Sequence, residues 1–229
     1  MLPIWNHLLD TLFWDMLQDP VNPNILYAAT GWVLNSNDGY AAIYKSIDFG
    51  DTWTLLNTGI PGTGSVQRVK LAIAPSDNNY VYAITVDVDQ GMYGIYKSTD
   101  AGVNWQFINP GVNVLNSSDG SFSGGQGNYD LGFSVNGQNR DIVYVGGINI
   151  WASTDGANTF NPVSHWTTGY GPTLHGDIHF IEWQPLTGNL FVCNDGGLYR
   201  TSMIISQTWN DAFNGTPWPT QWTDRKSVV

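Results

Sequence analysis

Short runs of alternating apolar and polar residues recur along this chain, each closed by Gly, Asn, Asp or Pro. Period-two alternation puts successive side chains on opposite faces of an extended strand, and the closing residues favour turns. Residues 66–75, 129–136 and 178–185 form one set of runs, ending at Pro or a polar turn. A second set of β-prone runs follows at 25–29, 80–85, 142–146 and 189–193. A third, shorter set (43–46, 95–98, 148–153, 198–202) ends in Ser or Thr, and a fourth follows a turn, as at 53–57 and 105–109. The sets succeed one another in that order. The pattern therefore predicts an all-β chain whose antiparallel strands come in fours, with about 50 residues to each group, the size of a propeller blade.

One octapeptide marks the turn between the third and fourth strands. It reads SIDFGDTW at 46–53, STDAGVNW at 98–105 and STDGANTF at 153–160, so the copies begin 52 and then 55 residues apart. Its Asp can accept hydrogen bonds from nearby backbone N–H groups and close the turn. Its Gly permits positive φ in a tight hairpin. The third copy places Gly156 before Ala157 and has Phe160 for Trp, and a fourth is nearly erased, Thr201 and Ser202 leading to Trp209 without the Asp and Gly.

Ser-x-Asp-x-Gly-x-Thr-Trp resembles the Asp-box, or bacterial neuraminidase repeat, of sialidases, xyloglucanase-type glycoside hydrolases and sortilin-type receptors. The resemblance runs over about residues 13–210. It implies a β-propeller of four-stranded antiparallel blades with Asp-box turns, four blades being visible and the ring incomplete. The blades are expected at 13–57, 66–109, 129–164 and 178–213, with residues 1–12 unassigned. Asp-boxes of that family lie on the rim away from the ligand face. The resemblance thus implies structural roles for Ser46, Asp48, Gly50, Trp53, Ser98, Asp100, Gly102, Trp105, Ser153, Asp155 and Phe160. Residues 224–229 resemble a translated sequencing adapter and are expected to be a non-native tail to a propeller region of 13–223.

Composition narrows the function. Charged residues are 12% of the chain, net charge is −11, and only 8 residues are Lys or Arg. Nucleic acid and anionic membrane need clustered cations and are excluded as partners. No run is apolar for long enough to insert in a membrane. The single cysteine, Cys193, allows no internal disulfide. With 11 Trp and 11 Tyr, the chain suits neutral polysaccharide, whose sugar rings stack on aromatic faces.

The face opposite the octapeptides carries the candidate chemistry, on loops 32–40, 87–93, 111–128, 165–177 and 194–197. Trp32, Tyr40, Tyr93, Trp166 and Tyr170 are the candidate ligand-stacking rings. His175, Asp177 and His179 alternate, so an extended strand points all three to one side. A hairpin of 178–185 with 189–195 brings Asp195 beside them. That set could hold Zn²⁺ or Ca²⁺, could supply Asp177 and Asp195 as a carboxylate pair for glycoside hydrolysis, or could be a polar network that anchors the loop. Asp87, Asp89, Asp119 and Asp130 are alternative carboxylate partners for Asp177.

Sialidase chemistry is disfavoured, because those enzymes carry an arginine triad and an early Arg-Ile-Pro element. The chain has only Arg68, Arg140, Arg200 and Arg225, and no such element. A finer resemblance, carried by Tyr129-Asp-Leu, VGGIN at 145–149, HGDIH at 175–179 and NDGGLYR at 194–200, is to large secreted bacterial proteins with Asp-box propellers. It implies an extracellular or cell-surface location. The expected function is glycan recognition or glycoside-hydrolase-like activity of the xyloglucanase rather than the sialidase type, with no required cofactor. The alternative is a non-catalytic, sortilin-like protein-binding or structural propeller of a larger cell-surface protein.

Overall fold

The computed structural model describes residues 7–9, 12–31, 42–56, 58–60, 66–117, 119–168 and 172–201, and the backbone of 223–224. These form four antiparallel sheets of four strands each, with no helix among the described residues. Blade 1 consists of β1 (Phe13–Gln18), β2 (Leu26–Thr30), β3 (Ile43–Ser46) and β4 (Thr54–Leu55). Blade 2 consists of β5 (Arg68–Ile73), β6 (Val81–Val86), β7 (Met92–Ser98) and β8 (Gln106–Ile108). Blade 3 has β9 (Gly132–Val135), β10 (Val143–Gly146), β11 (Ile150–Ser153) and β12 (Asn161–Pro162). Blade 4 has β13 (Ile178–Gln184), β14 (Asn189–Asn194), β15 (Gly197–Thr201) and β16 (Thr223–Asp224). The last strand falls beyond the 178–213 expected for blade 4 and takes in Asp224, the first residue of the adapter-like hexapeptide.

Each blade is a meander whose strands pair in sequence order. The innermost strands carry the ring: β1 packs on β5, β5 on β9 and β9 on β13. No comparable packing joins β13 back to β1 among the described residues, so the four blades form an arc.

The core lies between blades rather than within them. Tyr27, Ala29 and Ile43 of blade 1 pack against Val69, Leu71, Ile73, Val81 and Ala83 of blade 2. The alternate residues of blade 2, Ala72, Tyr82 and Ile84, pack against Phe133, Val135, Val143 and Val145 of blade 3. Tyr144, Ile150 and Ala152 then meet Ile178, Ile181, Trp183 and Leu190 of blade 4. A middle blade buries both faces, so β6, β9, β10 and β11 are buried at every position. An end blade buries one face, so β1 and β14 alternate. Blade 4 approaches blade 3 closely because Gly146 faces it: a Cβ there would stand 2.4 Å from Ile178.

Alternating strand direction sorts the loops. The β2–β3, β6–β7, β10–β11 and β14–β15 connections share one end with the entries to β5, β9 and β13. The octapeptides occupy the other end.

Candidate functional site

At the octapeptide end the third-position carboxylate of each turn, Asp48, Asp100 and Asp155, is engaged locally. Ser46 Oγ donates to Asp48 Oδ1 at 2.7 Å and accepts from Gly50 N–H at 2.9 Å. Thr52 donates to Asp48 through its backbone N–H at 2.9 Å and its hydroxyl at 2.6 Å. Asp100 is held in the same way by Ser98 and Asn104, and Asp155 by Ser153 and Thr159. The Thr52 hydroxyl and backbone N–H, with Ser46, hold Asp48 at a pKa of about 2. Each turn needs two consecutive residues at positive φ: Phe49 and Gly50, Ala101 and Gly102, Gly156 and Ala157. The third copy therefore keeps the geometry by exchanging the glycine between the two sites. Trp53 Nε1 donates to the Gly50 carbonyl at 3.0 Å, and Trp105 and Phe160 are buried.

At the opposite end, residues from blades 3 and 4 converge. His179, second in β13, places Nε2 2.6 Å from Asp195 Oδ1 in the β14–β15 turn. Tyr129, just ahead of β9, donates its hydroxyl to Asp195 Oδ2 at 3.2 Å and stands edge-on to the His179 ring at 5.1 Å. The bonds from His179 and Tyr129 lower the Asp195 pKa, and the Asp195 charge raises that of Tyr129. His175 continues the surface, lying against Gly196 with its Nδ1 3.1 Å from the Gly176 carbonyl. Beyond Gly176 lies Trp166, half exposed, its indole N–H bonded to the Ser117 carbonyl at 3.0 Å.

Beneath this surface sits Asp130, fully buried, with no hydrogen-bond donor on either carboxylate oxygen. Burial first, and the neighbouring Asp177 charge second, push its pKa up to about 8, Arg68 opposing weakly. Asp130 is therefore neutral over most of the physiological range.

The structure regroups the sequence candidates. Asp177 precedes β13 in a left-handed conformation (φ 62°), and the β13–β14 register slips between Ile178 and Phe180. The strict alternation expected for His175, Asp177 and His179 is thereby broken. Asp195 pairs with His179, while Asp177 turns towards Asp130. Among the described residues no three His, Cys, Asp or Glu side chains are gathered so as to hold a metal ion. Tyr93 lies on the outer part of blade 2 against Phe107, ring centroids 6.1 Å apart. Trp32, Tyr40 and Tyr170 lie outside the described residues. Of the alternative carboxylates, Asp87 caps its own loop at Asp89 and Gly91, and Asp119 bonds Ser121. Tyr129 was not among the candidate site residues, although the Tyr129-Asp-Leu stretch at the strand entry was among those that carry the finer resemblance.

No family model matches the chain. Over 220 residues it is 31% identical to a xyloglucanase of a Paenibacillus species, covering 85% of this chain and 20% of that protein. The crystal structure of a GH74 enzyme from Niastella koreensis matches with TM-score 0.56 and 22% identity, covering 92% of this chain and 29% of that one. The GH74 xyloglucanase of Xanthomonas campestris gives 0.58 at 15% identity, covering 93% and 30%. These two structures bear on the fold alone. The chain spans about a fifth of the length of the curated relatives it matches.

Proposed function

Because the chain is homologous to one part of xyloglucanases, we propose that it is a polysaccharide-recognising segment of a glycoside-hydrolase-like propeller that works outside the cell. The observation that carries this reading is the 31% identity maintained over 85% of the chain. The site supports it. Exposed Tyr129 and Trp166 flank the polar stretch formed by His175, His179 and Asp195. Aromatic rings take the C–H faces of sugars, and fixed polar groups between them can replace water at the hydroxyls. Asp195 accepts from His179 Nε2–H and from Tyr129 (a tautomer set by that bond), which leaves His179 Nδ1 free to accept from a sugar hydroxyl. The scarcity of cations suits an uncharged glucan over an acidic one. A hydrolytic step would draw on Asp177 and Asp195, the carboxylates nearest this surface.

Affinity electrophoresis of the chain in gels with and without soluble xyloglucan tests the reading. Retardation by xyloglucan is expected. Trp166→Ala and Tyr129→Ala are each expected to weaken it about five- to tenfold, the worth of one ring contact. Equal migration in both gels would overturn it.

A further inference from the structure

On the polysaccharide reading of the end opposite the octapeptides, we infer that Asn149 is a positioning residue. It ties three loops together and so fixes the Trp166 ring as a platform for a sugar. Asn149 sits in the turn between β10 and β11 and is 1% exposed. The turn is braced from two sides. Gly147 N–H donates to the Asn149 carbonyl at 3.0 Å, and the Gly147 carbonyl accepts from Ile178 N–H of β13 at 2.8 Å, so blade 4 holds one side. On the other side lie residues 111–117, which link blade 2 to blade 3 and bury Val114 and Leu115 completely. They approach so closely that a Cβ on Gly147 would stand 3.2 Å from Leu115 Cα.

From this base the Asn149 amide bonds two separate loops. Its Oδ1 accepts from the Trp166 backbone N–H at 2.9 Å, and its Nδ2 donates to the Ser117 carbonyl at 3.2 Å. The same Ser117 carbonyl accepts from the Trp166 indole N–H at 3.0 Å. The three residues close a ring of hydrogen bonds, and the ring sets the amide's orientation: the Trp166 N–H needs an acceptor and the Ser117 carbonyl a donor. Their separations of 17, 32 and 49 residues mean that only the packed blades bring them together. Trp166 Cβ also lies against Gly176, where an added Cβ would stand 3.4 Å from it. Backbone, Cβ and indole edge are thus all held, while 51% of the residue stays exposed. A ring already fixed loses little freedom when a ligand arrives, and that saving appears as affinity. Its N–H is spent inside the protein, so the indole offers a sugar its apolar face and no hydrogen bond.

Affinity electrophoresis of the intact chain in soluble xyloglucan, run as a double-mutant cycle, tests this. Asn149→Ala is expected to weaken retardation about threefold or more, and Trp166→Ala about five- to tenfold. The double variant should be no weaker than Trp166→Ala alone, because Asn149 acts through the ring. Losses that multiply would give Asn149 a separate role and overturn the inference. Asn149→Asp keeps the acceptor for Trp166 and serves if circular dichroism shows that Asn149→Ala does not fold. Its deficit relative to the parent is expected to shrink as pH falls and the carboxyl gains a proton to donate to Ser117; a deficit of one size at every pH overturns the role of that bond. A measurement without ligand separates this inference from the polysaccharide reading. In ¹⁵N-labelled protein the Trp166 indole N–H, identified by its loss in Trp166→Phe, should exchange with water faster in the Asn149 variant than in the parent. Unchanged exchange overturns the inference whether or not xyloglucan binds. Faster exchange in a chain that xyloglucan never retards upholds the positioning of Trp166 and overturns the polysaccharide reading instead.

Discussion

Asp130 is a carboxyl group folded into a place where it cannot afford its charge. Unfolded, it ionises near 3.8; folded, it keeps its proton up to about 8. Between those values the native state binds more protons, so this contribution to stability is whole at low pH and is lost as pH rises towards 8. Asp177, ahead of β13, adds to the effect and Arg68, on β5, opposes it. Asp130→Asn, which cannot ionise, is expected to flatten the decline in melting temperature between about pH 5 and about pH 8. It should also melt about 3 °C or more above the parent at the upper end, the worth of roughly 1 kcal/mol at this size. An unchanged slope would show that another group sets it. Two glycines offer a second check at this scale. A Cβ on Gly102 (φ 89°) would stand 2.7 Å from Leu56 Cδ1, whereas on Gly111 (φ 75°) it would meet nothing within 4 Å. Gly111→Ala should cost only the left-handed backbone penalty, about 1 kcal/mol, and Gly102→Ala about 1–3 kcal/mol more for the clash. Urea unfolding of the two variants separates the costs.

At the scale of elements, the octapeptide turn has two jobs. It closes its own hairpin through the Asp, and its backbone receives side chains of the preceding blade, as the Ala101 carbonyl receives Tyr27 and Lys45. The first job was legible in the sequence, because an Asx-type turn is built from residues a few positions apart. The second was not, since Lys45 and Ala101 are separated by 56 residues and nothing local links them. Tyr82→Phe removes only the hydroxyl bonded to the Arg140 carbonyl and should lower unfolding free energy by about 1 kcal/mol. Little change is expected from Tyr129→Phe, whose hydroxyl is at the exposed surface and bonds a partner that still has His179. Equal losses in the two variants would remove Tyr82 from the joint.

Across the whole molecule, stability is shared between neighbours, because each apolar cluster spans two adjacent blades. Trp183→Ala, within the cluster of blades 3 and 4, is expected to cost about 3–5 kcal/mol. Hydrogen exchange should show the loss mainly in β13–β15, with β6 and β7 protected as before; uniform loss would mean that the arc unfolds as one unit. The sequence by itself determined the strands, their grouping in fours and the turn between third and fourth, because alternation and turn chemistry act over a few residues. The hairpin of β13 with β14, expected from the sequence, brings Asp195 to His179; the tertiary structure decided which other candidate side chains meet. His175, Asp177 and His179 share one side only in a regular strand, and contact with blade 3 turns Asp177 towards Asp130 and leaves Asp195 to His179. The same packing brought Tyr129 into the site and buried Asp130. Both follow from inner strands that are distant in the chain and adjacent in space, a relation that periodicity along one strand does not encode.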